Sequence, residues 1–154
     1  MFHCYILCYL KSQLTQTYRR ALQVEAAGLA ALRRTEEDCD VFRSIIKKIE
    51  DNMKADHVVF SQLDYDFHLV VVNSSKNILA IKLMKTFGEL MRQQLLQIII
   101  DLRVEDRSRT LKYHTLISNA IINKDEQLAR RIMEEHLNVT YADIKKKEVI
   151  KFTL

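Results

Sequence analysis

Residues 63–77 read LDYDFHLVVVNSSKN, and they pose the problem on which the fold turns. Leu63, Phe67, Val70, Val71 and Val72 give the segment an apolar face, yet Asp64 and His68 stand one helical turn apart on that same face. An ionised carboxylate leaves water at high cost unless it is paired, hydrogen-bonded or bound to a cation. Asp64 therefore needs a partner inside the protein.

Outward from this stretch, the chain favours helices. Its 154 residues suit one domain with a sizeable core, and it contains no proline and only two glycines, the residues that break helices and shape tight turns. Apolar residues recur at spacings of three and four almost throughout. Helices are predicted over residues 15–32, from the Thr35 cap to about residue 53, over 58–74 and over 78–102. RVEDRSRT reads as a loop or a fraying helix end. LKYHTLISNAIIN then forms a helix, and a last one follows the cap at Asp125. The expectation is an all-α antiparallel bundle of about six helices, with an N-terminal arm over 1–14 and a helical domain over 15–154.

The net charge of +4 arises from 24 basic and 20 acidic residues interspersed along the chain, with no helix-turn-helix pattern and no aromatic-basic strip for bases. KYHTLISNAIINK and DIKKKEVIK read as solvated basic faces. Cys4, Cys8 and Cys39 are too few and too uneven for a disulfide framework, which points to a cytoplasmic protein. His3, Cys4 and Cys8 lack the second ligand pair of a zinc clip. MFHCYILCYL is too short to span a bilayer, so no membrane association is expected.

Two further histidines bear on Asp64. His114 lies on a stripe with Ile117 and Ile121, and His136 on one with Ala129, Ile132, Met133 and Thr140, whereas His3 and His57 fall outside such stripes. Each inward histidine belongs to a different predicted helix. A shared divalent cation is the economical partner for Asp64, His68, His114 and His136: three imidazoles and one carboxylate from three helices. Zinc, nickel, manganese and iron all suit such a set, and neither the ligand types nor the spacing selects among them.

These residues carry a family resemblance. D-x-x-F-H (Asp64, Phe67, His68), S-x-x-N (Ser74, Asn77) and the run His114, Ile117, Ala120, Ile121, Asp125, Ala129, Met133, His136, Leu137 resemble the FadR C-terminal domain, FCD. That domain is the effector-binding half of FadR-type regulators in the GntR family of bacterial transcription regulators. RRALQVEAAGLAALRRTEED is similar to its first helix, and the resemblance covers about residues 15–142. It implies a helical bundle whose metal-binding branch holds a divalent metal on Asp64, His68, His114 and His136, binds a small carboxylate metabolite there, and pairs as a homodimer. Arg19, by position, would meet an effector carboxylate, for which a guanidinium suits the planar geometry. Asn77 would make a polar contact at the cavity wall. Leu95 and Ile98 are candidates for tuning ligand size.

Two departures accompany the resemblance. Gln23 stands where the family has glutamate. The family's winged-helix domain, through which DNA would be bound, has no counterpart in MFHCYILCYLKSQL, leaving a truncated regulator or a stand-alone sensor.

Two other readings compete. A metallohydrolase would need a general base that is not itself a ligand. Asp66 projects about 200° around the helix from Asp64 and should point elsewhere, so no enzymatic activity is expected. A metal-free dimerisation module would need Asp64 and His68 closed on each other by a hydrogen bond.

Overall fold

Local signals start most of the helices. The computed structural model describes the backbone of residues 2–101 and 104–153, and the side chains of residues 17–90, 92, 93, 96 and 107–142. Within it run α1 (Phe2–Arg33), α2 (Glu36–Asp51), α3 (His57–Ser74), α4 (Ile78–Asp101), α5 (Val104–Ile122) and α6 (Glu126–Thr153). Thr35 and Asp38 form a reciprocal capping box at α2. Asp56 accepts from the Val59 N–H at 2.9 Å to open α3, and Asp125 from the Leu128 N–H at 3.0 Å to open α6. With glycine absent from the turns, Lys76 (φ 52°) and Lys124 (φ 59°) take left-handed positions after α3 and α5.

Two boundaries differ from expectation. Helix α1 starts at Phe2 instead of residue 15, because nothing in 2–14 breaks a helix. The side chains of that segment, including His3, Cys4 and Cys8, lie outside the described residues, as do those of Leu95 and Ile98. RVEDRSRT is not a loop: from Val104 it belongs to α5. Arg107 anchors it, donating to the carbonyls of Met53 (3.1 Å) and Ala55 (2.7 Å) in the turn that follows α2 and lying 4.6 Å from the Phe60 ring centre.

Helix α1 is the central rod, packed against α3, α4, α5 and α6. Its buried Ala26, Ala27, Ala30 and Ala31 keep those approaches close. Gly28, inside this alanine run, leaves room for Arg130 of α6, whose guanidinium crosses α1 to reach Glu25. A Cβ on Gly28 would collide with that guanidinium. Phe42, Phe60, Phe67, Val71, Met84, Ile117, Ile121 and Met133 complete the core between α2, α3, α4, α5 and α6. Helices α3, α5 and α6, which carry Asp64, His68, His114 and His136, all pack against α1. Among the described residues, no helix is long and apolar enough to cross a membrane.

Candidate metal centre

Helix α3 supplies Asp64 and His68 from successive turns, α5 supplies His114 and α6 supplies His136, and all four are buried. The structure brings three of the four predicted ligands into one cluster, in which one nitrogen from each of His68, His114 and His136 falls within 4.8 Å of the others, and Asp64 lies beside it. His136 Nε2 stands 3.4 Å from His68 Nε2, and His114 Nε2 stands 3.4 Å from Asp64 Oδ1. Two donors bound about 2.1 Å from one ion at the tetrahedral angle lie roughly 3.4 Å apart, so these separations fit a shared cation.

The pairing that would make the site self-sufficient is missing. His68 Nε2 is 3.9 Å from Asp64 Oδ2, beyond hydrogen-bond range. His114 has the distance to Asp64 but no hydrogen bond, for its Nε2 and Nδ1 are both without a partner, as is His68 Nδ1. A closed carboxylate–imidazole pair would have satisfied His114 Nε2. Packing instead holds the rings: Phe67 stacks on His114 with centroids 3.8 Å apart, and His68 stacks on His136 at 5.3 Å.

Electrostatics keeps the donors open to a metal. Burial pushes the histidines down, His136 to about 3 and His68 and His114 well below the ordinary imidazole value, with the Arg19 charge adding to the effect. Burial raises Asp64 to about 6, against the opposing pull of Arg19. At neutral pH the site is a carboxylate among neutral imidazoles, whose lone pairs a divalent cation would satisfy.

Arg19 lies on α1 close enough for its charge to act on all four groups. It is buried, and none of its three guanidinium nitrogens has a hydrogen-bond partner. Asn77 is elsewhere. Its side-chain oxygen accepts from the N–H groups of Leu79 (3.1 Å) and Ala80 (3.2 Å), which makes it the cap of α4, and Ser74, near it in the chain, already lies about 15 Å along α3 from Asp64. Asp66 turns away as expected, accepting from Gln62 Nε2 at 2.8 Å. Sequence reasoning gave no place at the site to several other buried polar groups, among them Gln23, Ser118 and Arg107. The signal for Gln23 was present: Arg19, Gln23, Ala26 or Ala27, and Ala30 form a single helical stripe.

Comparison with known proteins places this arrangement. The FCD domain family matches residues 15–139. The Glc operon transcriptional activators of Escherichia coli K12 and Escherichia coli O6:H1 are each 26% identical over 125 residues, covering 77% of this chain and 49% of theirs. The chain thus spans about half the length of these curated relatives. Streptococcus agalactiae GntR has a similar structure, with a TM-score of 0.70 and 25% identity over 87% of this chain and 58% of its own. Across residues 15–139, which include the turns carrying Asp64, His68, His114 and His136, the chain belongs to the FCD family of GntR-type bacterial transcription regulators.

Proposed function

We propose that this domain senses a small carboxylate metabolite through a divalent metal held by Asp64, His68, His114 and His136. The observation that carries the reading is a buried cluster of three histidines, with both His114 nitrogens and His68 Nδ1 lacking a hydrogen-bond partner, beside a buried guanidinium with none. A bound ion would supply a Lewis-acid anchor for one carboxylate oxygen, with zinc or nickel the first choice and manganese or iron also suited. Arg19 would take the carboxylate by paired N–H donation, satisfying a cation that the protein leaves bare. Ligand occupancy would then bias how the whole regulator, a cytoplasmic homodimer, engages DNA through a winged-helix domain. The metallohydrolase reading is dropped, since regulators of this family are not enzymes.

Metal analysis of the purified protein tests the site. Wild type should carry a divalent metal that His114→Ala and His136→Ala lose. Chelation should lower the melting temperature by about 5–10 °C, the shift for a ligand present at roughly a hundred times its dissociation constant. Equal, negligible metal in wild type and both variants would remove the metal assignment.

A further inference from the structure

Gln23 is left unused by the function proposed above. It follows Arg19 by one turn on α1, so both side chains leave the helix on the same face, and that helix packs against the three that carry the metal donors. Gln23 is fully buried, and neither its amide nitrogen nor its amide oxygen has a hydrogen-bond partner. Ser118, one turn after His114 on α5, is likewise buried with an unpaired hydroxyl.

The two α1 side chains make different demands. Arg19 offers donors only, whereas Gln23 offers two donors and an acceptor. A plain carboxylate brings acceptors alone. It can answer Arg19 and the Gln23 nitrogen, but it leaves the Gln23 oxygen buried and bare, which is costly. A ligand that answers every atom has a carboxylate and a hydrogen-bond donor beside it.

We infer that Gln23 is a specificity-determining residue of the effector site: with Arg19 it selects a carboxylate bearing a hydroxyl or amide donor over an unsubstituted carboxylate of similar size. This rests on the effector reading proposed above. The test is calorimetric titration of the zinc-loaded full chain with butyrate, 2-hydroxybutyrate and succinamate. Wild type should favour the two substituted acids. Gln23→Met, close in size, should shrink that preference about tenfold while zinc content stays at the wild-type level. A preference that Gln23→Met leaves unchanged overturns the role of Gln23 alone. Binding of none of the three acids to zinc-loaded wild type overturns the effector reading and this inference with it.

Discussion

Arg107 and Arg19 are both buried, at 2% and 1% exposure, but their surroundings differ completely. Arg107 donates to two backbone carbonyls, reaches His57 Nδ1 at 3.1 Å and lies over the Phe60 ring, leaving only its Nε without a partner. The turn that follows α2 has carbonyls turned away from any helix, and Arg107 satisfies two of them. Arg19 meets no such group. Its three nitrogens are bare, and burial lowers its proton affinity against the pull of Asp64. The first arginine stabilises the bundle, and the second carries a desolvation cost that the nearby Asp64 charge offsets only in part. Burial of a charge alone therefore does not separate structure from function; the presence of partners does.

Acid should expose this difference most strongly. In the metal-free protein His68, His114 and His136 stay neutral in the fold, whereas in the unfolded chain they protonate at about pH 6.5. Below that pH the unfolded state takes up protons that the native state refuses, so stability falls. Asp64 acts oppositely, because its native value of about 6 lies above the unfolded value of about 3.9, and protonating it in that window favours the fold. Three groups against one leave a net loss of about 4 kcal/mol between pH 7 and pH 5, measurable by urea unfolding in the presence of chelator. A flat profile over that interval would show that the imidazoles protonate without opening the core.

Substitution of the arginines comes next in size. Arg107→Met leaves the Met53 and Ala55 carbonyls without their donor and should cost about 3 kcal/mol in urea unfolding. Arg19→Met should instead stabilise the ligand-free protein by about 1 kcal/mol, because it replaces an unsatisfied buried charge with apolar volume. Equal destabilisation by the two substitutions would break the contrast between them. The smallest effect sharpens it: His57→Ala removes one of several partners of Arg107 and should cost about 1 kcal/mol.

Much of the site was legible in the sequence, for a physical reason. Asp64, His68, His114 and His136 each interrupt an apolar stripe, and helical periodicity turns such an interruption into a direction. The caps at Thr35 and Asp125 were equally local. Arg19 was harder to place because it sits beside Arg20, which ion-pairs with Glu134 at the surface, and a pair of arginines does not reveal which one turns inward. The start of α5 was missed since Val104–Thr110 is polar. Its anchoring depends on Arg107 reaching across to α2, a contact 54 residues distant in the chain. Asn77 had been assigned through a motif, whereas its geometry follows from its position just before α4.

The small side chains of α1 have one more consequence. A surface of Ala26, Ala27, Ala30 and Ala31 is nearly smooth, and a smooth rod can slip along or roll against its neighbour with little change in packing energy. Gly28 cuts a notch in that surface, and the Arg130 guanidinium seated there, tied to Glu25 on α1 and Glu126 on α6, acts as a key. The key sets the axial register between α1 and α6, and with it the alignment of Arg19 with His136. A glycine more than two turns from Arg19, which takes no part in the candidate site, thus helps fix how the helix carrying Arg19 sits against the helix carrying His136.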